Sequence, residues 1–144
     1  MKDIKVSVII PVFNSSKSLE NLINELSIQL KDNYSSYEVI LIDDKSNDNS
    51  WEIIANLCKN HNWVKAIKLR KNVGQHNAIL AGLRFADGQY IVTMDDDGQN
   101  SPNDLVNLIS EVEKGADVCY AKYSIKEHNI FRRIGSLINN IFVS

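Results

Sequence analysis

Two carboxylate clusters in this chain of 144 residues follow directly on apolar runs. Asp43-Asp44 ends Glu38-Val39-Ile40-Leu41-Ile42, and Asp95-Asp96-Asp97 ends Tyr90-Ile91-Val92-Thr93-Met94. Adjacent carboxylates repel, and in an apolar setting at least one takes up a proton unless a cation neutralises the group. If the second run stays extended, side chains alternate faces, so Asp95 and Asp97 share one face and Asp96 points to the other. Two same-face carboxylates suit Mg2+ or Mn2+, hard cations that keep several waters and complete their shell with substrate phosphates. The plainer alternatives are a solvated acidic turn for Asp95–Asp97 and a turn cap for Asp43 and Asp44.

Placing these groups requires a sheet. Val6-Ser7-Val8-Ile9-Ile10-Pro11-Val12 is β-branched and closed by proline, as in a buried strand. Leu19, Leu22, Ile23, Leu26 and Leu30 recur at helical spacing, with Asn21, Asn24 and Glu25 outward. The Glu38–Asp44 strand is followed by the turn formers Lys45–Asn49, and Ser50 or Asn49 is expected to cap a helix carrying Trp51, Ile54 and Leu57. Val64–Leu69 alternates apolar and basic residues, which predicts an edge or a partly wet face. After the Arg70–Asn77 loop comes the apolar helix Ala78–Leu83, in which Gly82 allows close approach to the sheet. The strand beginning at Tyr90 is expected to bury its side chains. Ser101 as N-cap and Pro102 open the next helix, with Leu105, Leu108, Ile109 and Val112 inward and Gly115 as its stop. Ala116–Ala121 reads as a fifth strand.

Five strands alternating with four helices predict an α/β fold, a Rossmann-like, mostly parallel sheet with helices on both faces. The carboxyl ends of its strands lie along one edge, so Pro11, Val12, Phe13 and Asn14, Asp43 and Asp44, the loop bearing Asn72, Gly74 and His76, and Asp95–Asp97 converge on one crevice. His76 at a helix start is by default a capping or packing residue. Neither Gly-x-Gly-x-x-Gly after the first strand nor a Gly-x-x-x-x-Gly-Lys-Ser/Thr stretch is present, which argues against a dinucleotide-binding Rossmann domain and a P-loop NTPase. A nucleotide here is left to carboxylates and a metal: Asp43 or Asp44 accepts from a base N–H or ribose hydroxyl, and Asp95 with Asp97 holds the cation of a diphosphate.

With 44% hydrophobic and 24% charged residues the chain has the composition of one globular domain. A net charge of -2, with basic residues scattered up to the C-terminal segment, argues against nucleic acid as a partner. Cys58 and Cys119 lie far apart without metal-type spacing and read as small core residues of a reducing compartment. Met1-Lys2-Asp3-Ile4-Lys5 leads straight into a strand, with no signal peptide, so a cytoplasmic domain is expected.

The runs Val8-Ile9-Ile10-Pro11-Val12-Phe13-Asn14, Val39–Asp48 and Asp95-Asp96-Asp97 resemble, in order, the family 2 glycosyltransferases of GT-A fold. Asn72–Ala78, Asp97–Pro102 and Arg132–Ser136 are most similar to the polyprenyl-phosphate branch, the dolichol- and undecaprenyl-phosphate sugar transferases. The resemblance implies a metal-dependent, inverting hexosyltransferase, with a nucleoside-diphosphate sugar as donor. Gln99 would join Asp95 and Asp97 around Mg2+ or Mn2+. Pro11, Val12, Phe13, Asn14, Asp43, Asp44, Asn72, Gly74, His76, Asp95 and Asp96 would line the donor site, with Asp96 turned toward the sugar or solvent. Lys122, Arg132 and Ser136 would face the acceptor phosphate, and Asp96, Asp97 and Arg132 are the catalytic assignment. Gly98 stands where the branch usually has leucine, Ser15 where many members are acidic, and Lys122 where arginine is usual.

Arg132 and Ser136 are four apart on an expected helix, hence on one face, where a guanidinium and a hydroxyl make a sound phosphate pair. An acceptor that is already an anion needs no general base. Around them Ile130, Phe131, Ile134, Leu137, Ile138, Ile141 and Phe142 trace an apolar stripe that nothing following in the chain covers. That pattern predicts a truncated fragment, or a helix that docks on a partner or a membrane surface. The expected organisation is thus a nucleotide-sugar-binding core over 1–121 and the start of an acceptor-side region over 122–144. The full-length protein would sit at the inner face of the cell membrane, with homo-oligomerisation left open. The rival readings are a family 2 transferase acting on a saccharide hydroxyl in capsule or cell-wall polysaccharide synthesis, and a non-catalytic nucleotide-binding or interaction module.

Overall fold

In the computed structural model, which describes residues 2–97 and 102–121, β1 (Lys2–Val12), β2 (Tyr34–Asp43), β3 (Val64–Lys68) and β4 (Tyr90–Thr93) form a parallel sheet in the order β3-β2-β1-β4. Helices α1 (Leu19–Asn33), α2 (Ser50–Asn60) and α3 (Gln75–Leu83) connect the strands, and α4 (Pro102–Glu113) follows β4. Period-two alternation divides the core between two faces. Val6, Val8, Ile10 and Val12 of β1, with Val39 and Leu41 of β2, pack into the cluster that holds the buried face of α1, Ile54 and Leu57 of α2, and Leu105 and Ile109 of α4. Ile9, Ile40 and Ile42 point the other way, onto Ala78 of α3. Burial on both faces is why β1 and β2 are almost uninterrupted apolar runs, and helices do cover both faces as the sequence predicts.

In α1, Leu19, Leu22, Ile23, Leu26 and Leu30 are the buried residues. Each such side chain contributes about 1.5–3 kcal/mol relative to an exposed one. Gly82 sets the height of α3 above the sheet: a Cβ there would lie 2.7 Å from Ile42 Cδ1 and 2.8 Å from Ile9 Cγ2. The helix therefore approaches as closely as only glycine allows.

β3 is an edge strand, as its alternating pattern predicts, and its two lysines both have partners. Lys68 Nζ lies 4.7 Å from the centre of the Trp51 ring, fixing α2 over the end of β3. Lys65 Nζ lies 2.6 Å from Glu38 Oε2. Glu38 is buried, and its Oε1 accepts from the Ser7 hydroxyl at 2.6 Å and from the Asp87 N–H at 2.8 Å. Burial alone would push this carboxyl up, but Lys65, Ser7 and the Asp87 N–H hold it below the usual carboxylate range. The Gly88 N–H donates to Ser7 Oγ at 2.8 Å, and a Cβ on Gly88 would meet Ser7 N at 2.5 Å. This network ties the entry of β4 to the amino end of the sheet.

Two expectations about the sheet are corrected. β4 is half-buried at the edge of the described sheet, with Ile91 45% exposed and Thr93 open. Ile91 and Thr93 share a face with Ser7 and Ile9, and α3 on that face packs over β1 and β2. Ala116–Ala121 does not form a fifth strand: Val118 is 62% and Tyr120 86% exposed. An open groove of about 780 Å³, lined by Ile91, Thr93, Leu108, Val112 and Val118 among others, separates the segment from β4. Its apolar alternation suits a strand, but a strand also needs a ladder for its N–H and C=O groups, and no described residue supplies one.

Candidate functional site

The carboxyl ends of β1 and β2 are level, because Val12 is in register with Asp43, and their loops are laced together. Asn14 N–H donates to Ser46 Oγ at 3.0 Å and Asn47 N–H to Asn14 Oδ1 at 2.8 Å. Both loops turn through left-handed residues, Asn14 at φ 56° and Lys45 at φ 64°. Pro11 and Val12 are buried within β1, whereas Phe13 and Asn14 are exposed on the loop.

Asn49 stands at the N-cap position of α2, within the expected pair Ser50 or Asn49, but the side chain that caps the helix is that of Asp48. Its Oδ1 accepts from Ser50 N–H at 3.0 Å and Ser50 Oγ at 2.5 Å, and its Oδ2 from Ser16 N–H at 3.1 Å, while Asn49 makes no side-chain cap. Desolvation opposes ionisation, but these donors outweigh it and hold the carboxyl down at about 2. An aspartate two residues before a serine at a helix start is the signal that sequence reading passed over.

The structure separates two neighbours that the sequence leaves interchangeable. Asp44 is buried and fully engaged: Oδ1 accepts from Val73 N–H at 2.7 Å, Oδ2 from Gly74 N–H at 2.8 Å, and its carbonyl from Asn72 Nδ2 at 3.1 Å. It is the post that holds the β3–α3 loop, where Gly74 takes φ 84°. Asp43 is completely buried, with Oδ1 accepting from Ser46 N–H at 3.0 Å and Oδ2 without a donor among the described residues. A buried carboxylate oxygen without a donor is costly in a folded protein, and it calls for a partner from outside the fold, a water, an ion or a ligand.

At the end of β4 the backbone is no longer extended: the strand stops at Thr93 and bends at Asp96–Asp97, so strict alternation does not carry through the acidic cluster. Asp96 is partly buried and engaged by the first loop. Its Oδ2 accepts from Phe13 N–H at 3.0 Å and Ser15 Oγ at 2.5 Å, and its carbonyl from Ser18 Oγ at 2.7 Å, which straps β4 to the β1–α1 loop. Asp95 faces α3 instead, where its Oδ1 accepts from Gln75 Nε2 at 2.6 Å. Asp95 and Asp97 are exposed, as is His76 in the first turn of α3.

Among the described residues no three His, Cys, Asp or Glu side chains are grouped to hold a metal ion. The two exposed carboxylates nevertheless fit Mg2+ or Mn2+, which take one or two protein carboxylates and keep their waters. Gln99, Lys122, Arg132 and Ser136, with the whole of 122–144, lie outside the described residues. The structure therefore brings Phe13, Asn14, Asp43, Asp44, Asn72, Gly74, Asp95 and Asp96 to one edge of the sheet. It adds Ser15, Asp48 and Gln75, to which the sequence reading gave no site role.

A parallel α/β sheet with an acidic shelf at its strand ends matches the GT-A glycosyltransferases. Staphylococcus aureus TarS 1-349 in complex with UDP superposes with a TM-score of 0.61 at 26% identity, over 85% of this chain and 40% of that one. A mannosyltransferase from Pyrobaculum calidifontis in complex with GDP-Man and Mn2+ gives 0.61 at 21% identity, over 67% of this chain and 28% of its own, a likeness of fold alone. The chain belongs to glycosyltransferase family 2, whose sequence pattern, glycosyl transferase family 2, matches residues 7–142. It is 39% identical over 143 residues to undecaprenyl-phosphate 4-deoxy-4-formamido-L-arabinose transferase of Proteus mirabilis (strain HI4320), covering 97% of this chain and 43% of that protein. The enzyme of the same name from Yersinia enterocolitica serotype O:8 is 39% identical over 142 residues, covering 96% and 43%. The chain thus spans less than half the length of these relatives. No helix among the described residues is long and apolar enough to cross a membrane.

Proposed function

We propose that this chain is the donor-binding part of a metal-dependent, inverting glycosyltransferase that moves a sugar from a nucleoside diphosphate to a polyprenyl phosphate at the inner face of the cell membrane. The observation that carries the reading is Asp43, buried at the carboxyl end of β2 with Oδ2 unpartnered among the described residues. That oxygen accepts an N–H of the base, while Phe13 and Asn14 border the nucleotide. Asp95 and Asp97, with Gln99, hold the cation, which when bound supplies positive charge against the departing diphosphate. Lys122, Arg132 and Ser136 hold the acceptor phosphate, and no base is required because that nucleophile is already ionised. One acceptor phosphate oxygen bonds to the anomeric carbon from the face opposite the leaving group. The carbon–oxygen bond to the diphosphate breaks, its electron pair leaves with the nucleoside diphosphate, and the anomeric configuration inverts. The undecaprenyl-phosphate specificity named for the Proteus and Yersinia relatives supports the choice of acceptor.

The test is calorimetry with UDP and with GDP, with and without Mn2+, on the wild type, Asp43→Asn and Asp97→Ala. The Asp43→Asn side chain keeps an oxygen for Ser46 but turns an amide donor toward the base. Losing a hydrogen bond to a charged group there weakens binding about 10- to 100-fold. Asp97→Ala should abolish the Mn2+ dependence. Unchanged affinities in both variants would refute the site. On a chain extended to the length of the relatives, transfer of labelled sugar to undecaprenyl phosphate is expected, and transfer to saccharide acceptors alone would replace this acceptor with a hydroxyl.

A further inference from the structure

Two adjacent carboxylates after β4 are held by different parts of the molecule: Asp96 by the β1–α1 loop and Asp95 by the first residue of α3. Gln75 is itself anchored one step away, because the preceding Val73 and Gly74 N–H groups both donate to the buried Asp44 carboxylate. A continuous path therefore runs from the end of β2, through the β3–α3 loop, to the end of β4, although β1 lies between those two strands in the sheet. We infer that Gln75 is a positioning residue for the cation site, aiming Asp95 and coupling it to the nucleotide side of the crevice through Asp44.

The inference rests on the cation reading given under the proposed function and extends it to a side chain that would touch neither metal nor substrate. The chemistry favours a neutral amide in this role. Gln75 Nε2 occupies one lone pair of Asp95 Oδ1, leaving Oδ2, which makes no hydrogen bond among the described residues, to turn toward a cation. A lysine at that position would compete with the cation by neutralising the carboxylate, and a glutamate would repel it. Gln75 is exposed, so its side chain does not fill the core and removing it leaves packing intact.

Mn2+ binding to the 144-residue chain, followed by electron paramagnetic resonance and by calorimetry, separates the possibilities. Partners that orient a metal-bound carboxylate are worth roughly 10- to 100-fold in metal affinity. Gln75→Leu should weaken Mn2+ at least about tenfold with its thermal midpoint unchanged, and Gln75→Lys, which neutralises Asp95, should weaken it further. In the wild type UDP should tighten Mn2+ and Mn2+ should tighten UDP by the same factor, as linkage demands, and Gln75→Leu should shrink that factor. If Asp95→Ala loses Mn2+ while Gln75→Leu keeps wild-type affinity and wild-type coupling, the positioning role is overturned and the cation site stands. If neither Asp95→Ala nor Asp97→Ala weakens Mn2+, the cation reading fails and this inference fails with it.

Discussion

Asp44→Asn and Asp43→Asn are the same isosteric change on adjacent residues, and the structure assigns them opposite consequences. At Asp44 both oxygens accept backbone N–H groups, at 2.7 Å and 2.8 Å. An amide places a donor against one of those N–H groups, losing a charge-assisted bond worth about 1.5–3 kcal/mol, and leaves the other bond to a neutral acceptor, weaker by roughly half. The expected cost is about 3 kcal/mol. For a chain of this length, whose unfolding entropy is about 0.3 kcal/mol/K, that lowers the midpoint by about 10 °C. At Asp43 only Oδ1 is engaged, by Ser46 N–H, and Oδ2 is a buried charged atom with no donor. The Asp43→Asn change keeps the Ser46 bond and removes the uncompensated charge, so the midpoint of that variant should equal or exceed that of the wild type. Calorimetric unfolding and urea titration at about pH 7 measure both. A loss below about 1 kcal/mol for Asp44→Asn, or a loss for Asp43→Asn as large as that for Asp44→Asn, would refute the division between a saturated and a half-satisfied aspartate.

Two further outcomes follow from the loops. Asp48 titrates at about 2 in the fold against 3.8 in the open chain, so its stabilisation is complete above about pH 4 and is lost as pH falls toward 2. Thermal melts of the wild type and Asp48→Asn should differ by on the order of 1 kcal/mol at pH 7, solvent screening allowed for, and converge by about pH 2; a gap independent of pH would count against the cap. Lys45 holds φ 64°, where a side chain costs about 1–2 kcal/mol that glycine avoids, partly offset by the greater freedom of glycine in the open chain. Lys45→Gly should therefore raise stability by about 0.5–1 kcal/mol in urea titration, and a loss of stability would show that the lysine side chain contributes more than the strain removes.

The elements that bury a regular stripe were legible in the sequence. The buried face of α1 is the predicted set of five residues, and the double-sided burial of β1 and β2 shows as unbroken Val and Ile runs. Gly82 was legible for the same reason, since a glycine among alanines on an apolar helix face implies close approach. Ala116–Ala121 was misread because apolar alternation reports the faces of a strand and says nothing of its edges, and hydrogen bonds at the edges decide whether a ladder forms. The Glu38 network was missed although it left a trace: a glutamate at the head of an apolar strand must be paired if it is buried.

The acidic clusters show where pattern stops and geometry begins. Period-two reasoning treats Asp95, Asp96 and Asp97 as alternating members of one strand, but the ladder ends at Thr93, and Asp95 and Asp96 then go where a donor waits. For Asp96 the donors are Phe13 N–H and Ser15 Oγ, and for Asp95 the donor is Gln75 Nε2, from segments about 80 and 20 residues away in the chain. At Asp43 and Asp44 the same physics acts in reverse: the loop donors Val73 and Gly74 saturate one carboxylate and leave its neighbour half satisfied. Crowded negative charge is thus spread by neutral donors, serines and a glutamine and backbone amides, with no lysine or arginine drawn into contact with these four aspartates by any described bond. A site organised by neutral donors keeps its charge for an incoming cation, whereas one organised by lysines would have spent it already.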